Sequence, residues 1–245
     1  MSTTEQIQGE EGKRSIFVSG HSRAQWVMVL LSIVILIDVI SVIFDFSQIQ
    51  LVSRVQAGIP VTEAEANAND SRQAMMGFVY LVAFIITGVA FCFWIYRSHR
   101  NLPALGARNL KYSPAWAVGG FFVPVLNLFR PYQVTKEIWK ASDPNIGPGS
   151  GLDWQDAPTS PLVGWWWVIF IVSSFASYFL LRMTLSAETI SDFMSLSVMT
   201  LVIDIFDILA AILAIILVRT IDQRQRTKNQ QMLYADNPQN ELRQG

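Results

Sequence analysis

Residues 25–46 read QWVMVLLSIVILIDVISVIFDF, a run in which Asp38 and Asp45 are the only charges. At 1.5 Å of rise per residue, about 20 such residues carry a helix across the ~30 Å hydrocarbon layer of a bilayer. The apolar residues form a solid block, without the alternation of a half-buried strand or the 3.6-residue stripe of a soluble helix. Three further blocks of this kind follow, at 74–96, 162–181 and 198–218. The fold class that follows is an all-α membrane protein with four transmembrane helices.

Composition agrees. The chain has 245 residues, 51% hydrophobic and 15% charged, with a mean hydropathy of +0.34. A soluble protein carries about 25% charged residues, so the deficit disfavours a soluble enzyme, a disordered chain and a nucleic-acid binder. The net charge of −1 gives no overall attraction to polyanions. Cys92 is the only cysteine and cannot form an internal disulfide, and with two histidines it cannot build a zinc site. No cofactor is expected.

A fifth apolar stretch, 115–129 (AWAVGGFFVPVLNLF), is too short to cross and is broken by Gly119, Gly120 and Pro124. It reads as a re-entrant or interfacial segment between the second and third spans. Basic residues support that choice. With four crossings, 15 of the 18 Lys and Arg fall on the side of both termini, leaving Arg54, Arg72 and Arg182 opposite. A fifth crossing would make the split 8 to 10, against the excess of basic residues expected in cytoplasmic loops. All eight tryptophans also fall on the side of the termini, where indoles suit the headgroup level. Residues 1–24 are polar and precede a long apolar core, so the first span reads as an uncleaved anchor. The expected organisation is a cytoplasmic tail at 1–24, a membrane domain at 25–218 that includes segment 114–142, and a cytoplasmic tail at 219–245.

The polar segments carry finer signals. Thr62 and Glu65 have capping-box spacing, predicting a short helix that leads into the second span; a ligand role for Glu63, Glu65 or Asp70 is the weaker reading. His99, among Arg97, Arg100 and Arg108, is expected to stay solvated. After Pro131, an interfacial amphipathic helix is predicted, with Tyr132, Ile138 and Trp139 on its apolar side and Lys136 and Lys140 on its polar side. Gly147 to Gly151 reads as a flexible linker. The stretch 219–245 reads as a frayed polar tail, helical only at its start.

Ser113-Pro114, Trp116-Ala117-Val118-Gly119, Pro124, Asn127-Leu128, Pro131-Tyr132-Gln133, Glu137, Trp139 and Ala141-Ser142 resemble a bacterial membrane family described as domain of unknown function 4328. Tyr96-Arg97, His99-Arg100-Asn101-Leu102, Leu105-Gly106 and the stretch VTEAEANANDSRQ extend the resemblance over most of 25–218. The resemblance implies an integral membrane protein of bacteria and carries no activity with it.

The residues most at odds with the apolar background are Asp38, Asp45, Asp204 and Asp207. An aspartate at a helix centre costs about 2.5–3.5 kcal/mol on insertion. Asp38, Ser41 and Asp45 share a face of the first span, and Thr200, Asp204 and Asp207 share one of the fourth. Asp38, Asp204 and Asp207 all lie about 9–14 Å below the outer boundary, so packing of these two helices would bring them together. Arg182, on one face of the third span with Ser174 and Tyr178, is the candidate counter-charge. Helix–helix hydrogen bonding is one reading of the acids; a proton, cation or cationic-ligand pocket is the sharper one.

No G-x-S-x-G, H-E-x-x-H, P-loop or CxxC pattern is present, and Ser19-Gly20-His21-Ser22 has no evident orienting partner in the sequence. The expected role is non-enzymatic, as a scaffold, interaction or sensing module acting through segment 114–142. A small proton- or cation-linked transporter or ligand receptor using the aspartates is the alternative. The expected partners are the lipid bilayer and another membrane or cytoplasmic protein, with no nucleic acid and with homo-oligomerisation open. The expected location is the bacterial cytoplasmic membrane.

Overall fold

A computed structural model describes residues 16–146 and 151–235. Lys13, Arg14, Arg243 and most of the 147–151 linker lie outside the described residues. Among the described residues, six α-helices follow in order: α1 (His21–Gln56), α2 (Glu63–Arg100), α3 (Pro114–Gly119), α4 (Arg130–Ala141), α5 (Pro161–Thr184) and α6 (Ile190–Ala235). Four of them, α1, α2, α5 and α6, are long and apolar enough to cross a membrane. The all-helical, four-span reading therefore holds among the described residues.

The bundle is built on α6. It packs along α1 and α5, and α1 in turn packs along α2. Ala210, Ala211 and Ala214 make a buried small-residue stripe on α6, which lets neighbouring backbones approach closely. α2 and α5 do not pack along each other, so a gap remains between them. We call the end of the bundle that holds the start of α1 the termini end, and the opposite end the far end.

The segment 115–129 does not cross. α3 is six residues long, about 9 Å, and turns lead from it into α4. Trp116, Phe122 and Val125 are exposed, as suits an apolar edge resting against lipid. α4 forms where expected, with Pro131 in its first turn where a missing N–H costs nothing. Its buried face includes Ile138 and Trp139 but also Glu137.

Three expectations change. The predicted short helix at Thr62 is the beginning of α2 itself: the capping box forms, and the helix runs unbroken to Arg100. The polar stretch after the fourth span is no frayed tail, because α6 continues to Ala235 with Ile221, Asp222, Gln225 and Lys228 buried. The tryptophans divide: Trp26, Trp116 and Trp165 are exposed, whereas Trp94, Trp139, Trp166 and Trp167 are buried. The buried four belong to the hydrophobic core, which gathers at the termini end.

Candidate functional site

Asp38 and Asp45 are each 1% exposed, and Asp204 is also buried; Asp207 is half-buried. The i, i+7 spacing on α1 aims Asp38 and Asp45 at α6, and the tight α1–α6 packing brings the acids together as the spacing predicts. Asp204 lies against Asp45 and Ser41. Asp38 faces Asp204 and Asp207. The other two long helices supply neutral donors. Gln73 of α2 donates to Asp45 at 3.5 Å, Tyr80 of α2 donates to Asp207 at 3.0 Å, and the Ser173 hydroxyl of α5 donates to the other oxygen of Asp207.

These donors do not exhaust the acceptors. Both carboxyl oxygens of Asp38 are buried without a hydrogen-bond partner, as is one oxygen each of Asp45 and Asp204. A buried polar group left unpaired costs about 1–3 kcal/mol, and a charged one more. The expected counter-charge does not arrive: Arg182 is exposed, donates to Tyr178 at 3.1 Å and stacks over its ring. Its i+4 spacing from Tyr178 holds it on the outer face of α5. All the donors to the four acids are neutral, so the cluster is an acidic interior without a basic partner among the described residues.

A cavity of about 140 Å³ adjoins the cluster in the gap between α2 and α5. Tyr80, Phe84 and Phe91 of α2 face Trp166, Trp167 and Phe170 of α5 across it, Leu31 and Val34 of α1 with the α6 alanines form its floor, and Asp207 lies in its wall. Leu31 and Val34 precede Asp38 by seven and four residues on the same face of α1, so that unpartnered carboxyl stands just beyond the cavity. The termini side is closed by aromatic contacts: Phe91 lies 5.7 Å from Trp166 and 6.4 Å from Phe121 of the broken segment. Trp167 donates to the Leu128 carbonyl at 3.1 Å, tying that segment to α5. Among the described residues no group of three or more His, Cys, Asp or Glu is arranged to hold a metal ion.

The motif residues of the broken segment do other work. Trp116 and Pro124 are exposed, and Asn127 is half-buried within a turn. Pro131 and Trp139 are buried. Lys136 lies over the Tyr132 ring, and the Tyr112 hydroxyl donates to Gln133 at 2.7 Å. Glu137 accepts the Lys111 N–H at 2.9 Å and lies 3.7 Å from the ring of His99. His99 is fully buried, contrary to the solvated histidine expected, because the 114–142 segment folds over the end of α2.

A second polar layer, which the sequence reading missed, joins the α6 extension to the termini end. Gln225 donates to the Ser98 carbonyl at 2.9 Å and to Ser142 at 3.1 Å, and it accepts from Asn101 at 3.3 Å. Lys228 donates to the Ala141 carbonyl at 2.9 Å, and Arg224 to that of Trp139 at 3.2 Å. These are carbonyls of the last turns of α2 and α4, which lack helical partners of their own. Burial pushes the Lys228 ammonium below the usual lysine range, with Asp143 opposing. The signal was present in the sequence: Ile221, Gln225 and Lys228 continue the i, i+4, i+7 face of Ala214 and Leu217. His21 also gains a partner, with Nδ1 2.8 Å from Asp222, but the Ser19 hydroxyl accepts from the His21 backbone N–H instead of meeting the ring.

Comparison with known proteins gives one assignment. No curated protein and no solved structure matches the chain. The family described as Domain of unknown function (DUF4328) matches residues 58–223, from the loop before α2 into the α6 extension and leaving all of α1 outside. Covering well over half of the sequence, that match makes the chain a member of the DUF4328 family.

Proposed function

We propose that this protein is a receptor or carrier for a small lipophilic cation, bound in the cavity between α2 and α5 with Asp207 and Asp38 as its counter-charges. The observation that carries this reading is the unpartnered, buried Asp38 beside an aromatic-lined cavity that also presents Asp207. A cavity of ~150 Å³ holds a benzene-sized molecule. Aromatic faces attract a cation by about 0.5–2 kcal/mol each, more strongly when desolvated, and a carboxylate supplies the opposite charge. A ligand of that kind would satisfy what the neutral donors leave open. The role is non-enzymatic on this reading.

The probe is benzylammonium, with benzyl alcohol as its neutral counterpart. Benzylammonium is expected to raise the thermal midpoint of the detergent-solubilised protein and benzyl alcohol to have little effect, with affinity falling at least about tenfold in Asp207→Asn. Equal responses to the two compounds, or an unchanged affinity in Asp207→Asn, would overturn the reading. Uptake into proteoliposomes separates a carrier from a receptor. The scaffold or sensing role of segment 114–142 has weaker support, because Gln133, Glu137 and Lys140 are engaged by the chain itself and the segment's exposed side chains are apolar.

We place the termini end in the cytoplasm of a bacterial cell, on the 15-to-3 distribution of basic residues. In a Cys92→Ser background, Ala57→Cys is expected to react with an impermeant maleimide in intact cells, and Asn145→Cys only after permeabilisation; both positions are exposed. Strong labelling of Asn145→Cys in intact cells would refute this orientation.

A further inference from the structure

A larger groove, of about 790 Å³, runs down the outer side of α2 and is closed along one edge by the broken segment. Its walls are apolar for most of their length, with Ile85, Val89 and Phe93 on α2 and Phe122 opposite. From Ile85 to Arg100 the helix rises about 22 Å, more than the ~15 Å depth of one leaflet's hydrocarbon. At the termini end the groove changes character, because Arg23 of α1 joins Arg97 and Arg100 of α2. Burial, followed by the Arg23 and Arg100 charges, holds the Arg97 guanidinium below the usual arginine range. Arg97 donates through Nε to the Val18 carbonyl at 3.1 Å, while its Nη2 is buried without a partner. No carboxylate forms a salt bridge with any of the three among the described residues. Three like charges converge at the mouth of an apolar trough, and one has an unsatisfied donor.

We infer that this groove is a binding site for a phospholipid with an anionic headgroup, its phosphate held by Arg23, Arg97 and Arg100 and an acyl chain lying along α2. The arrangement matches that amphiphile from end to end: cationic donors stand where the headgroup region begins, and an apolar wall follows to beyond the depth of a leaflet. Guanidinium groups suit phosphate oxygens because their planar N–H pairs match them. A free anion would use only the arginine end and leave the trough open. The site is separate from the carboxylate cluster, although Phe84, Gly88 and Phe121 line both cavities, so a lipid seated here would cover the lateral side of the inner cavity.

The test is native mass spectrometry of the full-length protein after reconstitution with equal amounts of phosphatidylglycerol and phosphatidylethanolamine. Arg23 and Arg100 are exposed, so Arg23→Gln/Arg100→Gln leaves the Arg97–Val18 bond in place. The parent is expected to retain phosphatidylglycerol over phosphatidylethanolamine by about tenfold or more, and the double variant to lose most of that preference. Inorganic phosphate at millimolar concentration is expected not to displace the lipid, which distinguishes a phospholipid site from a simple anion site. Cys92 lines the groove and is the only cysteine, so bound phosphatidylglycerol should also slow its reaction with an apolar maleimide in the parent. Equal retention of the two lipids, an undiminished preference in the double variant, or displacement by phosphate alone would each overturn the inference. None of these readouts depends on cation binding, so this proposal and the cation reading stand or fall separately.

Discussion

Gln225→Leu is expected to destabilise the protein by about 3–5 kcal/mol, among the largest effects of any single substitution. The glutamine is buried and carries three hydrogen bonds, to the Ser98 carbonyl, Ser142 and Asn101. Leucine keeps the bulk but strands those groups, each at about 1–3 kcal/mol when buried. The Ser98 carbonyl has the least alternative: the Leu102 N–H, which a continuing helix would direct to it, instead bonds to His99. Gln223→Leu, two residues away and exposed, is the control and should change stability by no more than about 0.5 kcal/mol. Denaturant titration of the two variants beside the parent gives the measurement. Similar midpoints for both variants would show that the α6 extension does not hold the termini end together.

Asp38→Leu is expected to act in the opposite direction, raising the stability of the ligand-free protein by about 1–3 kcal/mol. Asp38 is buried with neither carboxyl oxygen bonded, so its removal breaks no hydrogen bond and relieves the cost of an unpaired polar group. The same substitution should abolish the benzylammonium response, a gain in stability at the expense of function that is common where a site is kept unsatisfied for its ligand. If the acids instead serve to tie helices together, Asp38→Leu should lower the unfolding midpoint. The sign of the change therefore separates the two readings, and no ligand is needed to observe it.

The parts of the molecule legible in the sequence are those governed by local pattern. Apolar block length placed the four long helices, Thr62 and Glu65 marked the start of α2, and Gly119, Gly120 and Pro124 stopped the fifth stretch from crossing. Helical periodicity also put Asp38 with Asp45 on one face and Asp204 with Asp207 on another. Arg182 shows where that method ends. Its depth and spacing allowed an inward counter-charge, but which face of α5 meets α6 is a packing outcome, and Ser173 rather than Arg182 lies on it. His99 was misread for a related reason: its arginine neighbours describe its surroundings along the chain, whereas segment 114–142, with Glu137 against the ring, folds back over it from further along the chain.

The sequence by itself determined an all-helical chain with four helices able to cross a bilayer, a short broken segment among them, and acids on matched faces, because hydrophobic length, capping and helical period act within a few turns. Only the tertiary structure decided that the acids lack a basic partner among the described residues, that an aromatic cavity adjoins them, and that the α6 extension caps other helices. Those features depend on side chains far apart in sequence meeting at one depth, and the rotation of each helix that allows it is set jointly by its neighbours.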